Sequence, residues 1–146
     1  MIIKGPNGEF SMQGITNDIV CIAVGVGITP LISMLFDAAS RHDRRRITLL
    51  YGNVDDENIA FFDELHNISL PNFRVIHVLQ SSSKKIQAQQ GRIDAKMIYA
   101  IIPADLQAAT FLISGPSMMV REMEEQLALL GVSSSQIRVE RFLGYI

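Results

Sequence analysis

The chain has 146 residues, a length that supports one domain with a real core. Apolar residues make up 48% and charged residues 19%, which excludes a disordered chain, and a net charge of −2 leaves no electrostatic footprint for nucleic acid. A single cysteine, Cys21, excludes an internal disulfide and a cysteine-rich zinc site.

Residues 2–12 read as a turn with strand-like flanks, too short to form a sheet of their own and resembling the tail of a preceding domain. Asp18–Val24 is predicted as the first strand, with Cys21 as an inert core residue. Gly25-Val26-Gly27 then makes a tight turn, with Thr29 as helix N-cap and Pro30 at the first helical position of a helix reaching about His42. Ile19 to Phe36 carries no charge and has the length of a membrane span. Gly25, Gly27, Thr29 and Pro30 interrupt its middle, however, and Lys4, Gly5, Pro6 and Gly8 come too early for a signal core. The expectation is a cytoplasmic protein with no membrane span.

Arg46–Tyr51 reads as the second strand, about Asp56 to Asn67 as a helix with Ile59, Phe62 and Leu65 on one face, and Phe73–Leu79 as the third strand. Residues 80–91 read as a polar loop, and Asp94–Ile102 as a short helix stopped by Pro103. Thr110–Ser114 is the fourth strand, Pro116–Leu130 a helix ended by Gly131, and Ile137–Phe142 the fifth strand. Met118, Met119 and Met123 read as core, Glu122, Glu124 and Glu125 as a solvated helix face, and Arg44–Arg46 as solvated. His42, His66 and His77 are scattered, without metal-like spacing, so no metal is expected. This alternation predicts an α/β fold: a doubly wound, parallel, five-stranded sheet with helices on both faces.

Ligands of such sheets bind beyond the carboxyl ends of the strands. Those ends carry Gly25-Val26-Gly27, Tyr51-Gly52-Asn53, Gln80-Ser81-Ser82 and Ser114-Gly115-Pro116. The first turn puts backbone N–H groups at the positive end of a helix, which suits a phosphate. Gly25-x-Gly27 lacks the third glycine of the common dinucleotide fingerprint, and no acidic residue directly ends the second strand, so a standard Rossmann dehydrogenase is not indicated. Ser114 lies in no Gly-x-Ser-x-Gly elbow, which argues against a serine nucleophile.

In this order, the turns resemble the pyridine-nucleotide domain of the ferredoxin–NADP reductase superfamily. Gly5-Pro6-Asn7-Gly8-Glu9-Phe10 is similar to the element that closes the family's flavin-binding barrel, and Val24 to Pro30 to its Gly-Gly-x-Gly-Ile-Thr-Pro motif. Leu50-Tyr51-Gly52-Asn53, Gly91-Arg92-Ile93, Ser114-Gly115-Pro116-x-Met118 and Glu140-Arg141-Phe142 resemble four further elements. Val24 replaces a frequent Gly, Val54 stands where many members carry Arg, and Ser114 replaces a frequent Cys.

The resemblance implies NAD(P)H as cofactor and hydride transfer to FAD or FMN held by a separate domain or partner subunit. It divides the chain into a barrel remnant or linker at 1–17 and an NAD(P)-binding domain at 18–146. It also implies cofactor contacts at Gly25, Val26, Gly27, Ile28, Thr29, Pro30, Tyr51, Gly52, Asn53, Ser114, Gly115, Pro116, Met118 and Phe142. Ser82, Ser83, Lys84 and Arg92 fall toward the adenosine end, and Ser82–Lys85 lean toward NADPH. Ser114, Thr29 and Glu140 are expected beside the reacting atoms. The implied partners are the flavin-binding domain or subunit and an electron-acceptor protein. A nucleotide-sensing or protein-binding module that keeps the fold is the alternative.

Overall fold

The computed structural model of the chain describes residues 2–4, 10–103 and 106–142. Its elements are β1 (Ile2–Lys4), β2 (Ile19–Val24), α1 (Ile28–Ser40), β3 (Ile47–Asn53), α2 (Phe62–Asn67), β4 (Phe73–Leu79), β5 (Gln89–Gln90), α3 (Ala95–Ile101), β6 (Thr110–Pro116), α4 (Ser117–Leu129) and β7 (Ile137–Phe142). They build one sheet in the order β1-β7-β6-β2-β3-β4-β5. β2 to β7 pair in parallel, and β1 runs antiparallel to β7.

The five expected strands are all present, and two edge strands are added. Ile2–Lys4 joins the sheet beside Phe142, Arg141 and Glu140, so the short first segment borrows an existing edge. Gln89–Gln90 lies inside the expected loop and pairs with only Val78 and Leu79. The expected barrel-closing element at Gly5–Glu9 lies outside the described residues.

Side chains alternate across the sheet with period two. Cys21, Leu49, Tyr51 and Leu112 face α1 and α2 and pack with Leu31, Leu35 and Leu65. Val20, Ile22, Leu50, Phe111 and Ile113 face α3 and α4 and pack with Ile98, Val120, Met123 and Leu127. Cys21 is fully buried, and desolvation pushes its thiol up to about 12, which keeps it unreactive. Residues before β2 also pack on the α1 face, where Met12 and Ile15 are buried. Two arginines hold that segment. Arg45 donates to the carbonyls of Met12 and Ile15, and Arg138 to those of Ser11 and Gln13. Arg45 also pairs with Asp43, whose carboxyl this hydrogen bond holds below its ordinary range. The expectation of a solvated Arg44–Arg46 is therefore corrected at Arg45.

The second helix is shorter than its periodicity predicts. Residues 54–61 turn instead, and Phe61 adopts a left-handed φ of 61° just before Phe62. In this turn the Glu57 N–H is taken by the Asp55 side chain, the local competition that keeps Asp-rich segments out of helices. Gly131, at φ 83°, ends α4 as expected. Among the described residues, no helix is long and apolar enough to cross a membrane.

Candidate cofactor site

The strand register gathers the expected residues along one edge. Val24 lies level with Gly52, Ala23 with Ser114, Ser114 with Glu140, and Pro116 with Phe142. Four adjacent strands, β3, β2, β6 and β7, therefore end in one row.

At its centre, Gly25–Gly27 forms a 3-10 turn that runs directly into α1. The two glycines are required for different reasons. Gly25 has φ 57°, which a side chain rarely tolerates. Gly27 has ordinary backbone angles, but a Cβ there would stand 2.1 Å from the Ser114 carbonyl oxygen. The turn is thus pressed onto β6, and its tip, Val26, is 69% exposed. The helix begins at Ile28, so Thr29 is not the N-cap and Pro30 is not the first helical residue, as the sequence reading had it. Pro30 stays within the first turn, where an N–H has no intrahelical acceptor. No side chain caps this helix start, and its first turn holds no acidic residue. A positive helix end open to an anion is the result.

The flanking positions differ in what they offer. Thr29 is exposed, whereas Ile28 is fully buried and offers only its backbone. Tyr51 is fully buried too. Its hydroxyl donates to the Ala60 carbonyl at 3.1 Å, and burial raises its pKa. Asn53 is half-buried, with an amide nitrogen that has no hydrogen-bond partner among the described residues. On β6, a Cβ at Gly115 would meet the Met119 sulfur at 2.8 Å. Met118 is 79% exposed, which corrects its assignment to the core. The Ser114 hydroxyl is fully buried and has no hydrogen-bond partner among the described residues, so it faces the interior. Glu140 is buried beside it on β7, and Phe142 is half-buried.

The β3–β4 side is built from side chains. The Ser83 hydroxyl donates to Asp56 Oδ2 at 2.6 Å and accepts from the backbone N–H groups of Lys85 and Ile86. Lys85 reaches Glu57 at 3.4 Å and Asp56 at 4.0 Å. Ser82 and Lys84 are exposed. Arg92 is exposed and lies 3.9 Å from Glu122. Glu124, expected in solvent, instead meets Arg141 at 2.7 Å.

Sequence reasoning also missed a histidine pair. His66 Nε2 and His77 Nε2 are 2.9 Å apart, with ring centroids at 5.2 Å and an interplanar angle of 18°. The two nitrogens thus meet nearly in line within almost coplanar rings, the geometry of one shared N–H. His77 is buried, and desolvation lowers its pKa to about 4. The pair lies eleven residues apart on α2 and β4, a distance with no recognisable spacing. It borders a cavity of about 590 Å3 along the outer edge of β4, whose lining reaches Lys85 and Ile86 in the loop after that strand. Among the described residues, no group of three or more metal-ligating side chains occurs.

The doubly wound sheet and the glycine-built turn at its carboxyl edge have the form of a dinucleotide-binding domain. Comparison with known proteins agrees. The family described as "Oxidoreductase NAD-binding domain" matches residues 21–125, and the chain belongs to it. It is 29% identical to NADH-cytochrome b5 reductase 1 of Dictyostelium discoideum over 139 residues, covering 92% of this chain and 49% of that protein. It is 34% identical to an NADH-cytochrome b5 reductase-like protein of Emericella nidulans over 122 residues, covering 82% of this chain and 26% of the relative. The FAD/NAD-binding domain of nitric oxide dioxygenase from Vibrio cholerae has the same fold, with TM-score 0.79 at 23% identity over 92% of this chain and 55% of that one. The chain therefore spans about half the length, or less, of the curated relatives it matches.

Proposed function

We propose that this chain binds NAD(P)H along the carboxyl edge of its sheet and positions the nicotinamide for hydride transfer to a flavin held by a separate domain or partner subunit. The observation that carries this reading is the Gly25–Gly27 cradle seated on Ser114 at an uncapped helix start. Its residues fit a pyrophosphate: two positions exclude a side chain, and no acidic residue opposes the anion in the first helical turn.

The bound cofactor supplies the hydride, so the protein needs alignment more than a strong acid or base. Val26, Gly27 and Thr29 hold and orient the phosphates. Gly115, Pro116 and exposed Met118 form the floor beside them. Ile2 is level with Phe142, so a flavin domain joined ahead of β1 meets the β6–β7 side. In this reading the nicotinamide lies over β6 and the adenosine over β3 and β4. Thr29 and Glu140 stand toward the reacting atoms, while sealed Ser114 supports the turn from beneath. In this reading residues 1–17 are the link to the flavin domain. The protein works in the cytoplasm, and electrons pass onward to an acceptor protein.

The test is anaerobic mixing of the chain with NADH and added FMN or FAD, followed at the flavin absorbance. Bleaching faster than without protein supports hydride positioning. Nucleotide binding without accelerated bleaching supports the second reading, a nucleotide-sensing module, which the burial of the Ser114 hydroxyl favours.

A further inference from the structure

Resting on that cofactor reading, we infer that the site is built for the dinucleotide with an unphosphorylated adenosine ribose, NADH, and that Asp56 is the residue that selects it. The loops after β3 and β4 meet at a hollow of about 210 Å3 that includes Asp56, Glu57, Ile59, Phe62, Lys85 and Ile86. It has an apolar wall for a base and carboxylates for a ribose diol.

The hydrogen-bond inventory excludes a ready 2′-phosphate site at Ser83. A hydroxyl has one proton and two lone pairs. Ser83 gives its proton to Asp56 and accepts two backbone N–H groups, so it retains no donor for a phosphate. Of the two loop lysines, Lys85 lines the hollow and exposed Lys84 does not, and Lys85 is drawn to Asp56 and Glu57. A 2′-phosphate would have to strip Lys85 from both and then face their carboxylates. A 2′-hydroxyl instead donates to Asp56 or Glu57, as acidic residues hold the ribose of NAD in other dinucleotide folds. Asp56 is the stronger selector because its side chain is 14% exposed against 64% for Glu57, so its charge is less screened. The Ser82–Lys85 run, which leans toward NADPH as a sequence, is thus answered by acids 27 residues earlier.

Calorimetric titration with NADH and NADPH tests this in the wild-type chain and in Asp56→Asn, Glu57→Gln and Ser83→Ala. NADH is expected to bind about tenfold tighter than NADPH, the scale of one unfavourable charge contact. Asp56→Asn narrows that ratio because NADPH gains. Glu57→Gln, at an exposed position that folding does not depend on, moves it the same way by less. Ser83→Ala breaks the hydroxyl link but keeps the charge, and leaves NADPH disfavoured. Equal or tighter binding of NADPH by the wild type, or a ratio unmoved by both acid variants, overturns the inference and leaves the cofactor reading intact. Binding of neither nucleotide overturns both.

Discussion

The two halves of the carboxyl edge are built by different means. Over β2 and β6 the backbone makes the site, and glycines keep it open. Over β3 and β4 the side chains make it, through contacts between loops 27 residues apart. The first half is rigid, because what shapes it is the close approach of two main chains. The second half is adjustable, because single substitutions change its charge without moving the fold. In the proposed reading, phosphate binding, which every dinucleotide needs, falls to the rigid half, and discrimination between nucleotides to the adjustable one.

Breaking the rigid half has the largest expected effect. Gly27→Ala drives a Cβ into the Ser114 carbonyl and is expected to cost roughly 3 kcal/mol, read as a lowered denaturation midpoint. Gly25→Ala has open space around the new Cβ and costs only the left-handed backbone, about 1 kcal/mol. A Gly25→Ala cost equal to that of Gly27→Ala would contradict the distinction between the two glycines.

The β4 side responds to pH. The folded-state pKa of His77 lies near 4, below its ordinary 6.5, so the unfolded chain binds more protons between those values. Its contribution to stability is full above pH 6.5 and is lost as pH falls toward 4, at most about 3 kcal/mol for a shift of that size and less with solvent screening. Asp43 adds a loss in the same direction at lower pH, since its carboxyl is held below the ordinary value. Melting temperatures taken across pH 4–7 should fall with acid, and His77→Gln should flatten the change in that window.

Arg138→Ala removes two hydrogen bonds to the segment before β2 and is expected to cost about 1 kcal/mol, with faster amide exchange nearby. Met118→Gln is the smallest change. At 79% exposure it should alter stability by less than about 0.5 kcal/mol, while slowing flavin reduction if Met118 lies beside the nicotinamide.

The same division explains what the sequence makes legible. The five long strands follow from apolar period and turn residues, and Gly25 and Gly27 announce a tight turn. Why Gly27 is needed was hidden, because the Ser114 carbonyl it meets is brought there only by strand pairing. The helix start at Ile28 was hidden because Thr29 and Pro30 are equally acceptable one turn position later. Met118 looked like core by composition, yet it precedes the buried stripe of α4 at Val120, Met123 and Leu127. Neither the Asp56–Ser83 bond nor the His66–His77 pair leaves a local mark, since each depends on which strands become neighbours.

The most direct test of the cofactor site is amide chemical-shift mapping of the 16.2 kDa chain during titration with NADH. Saturable shifts are expected at residues 24–29, 53–57, 114, 115, 117 and 118, with Arg74–His77 of β4 unaffected. Shifts confined to Arg74–His77, or none at all, would contradict that site assignment.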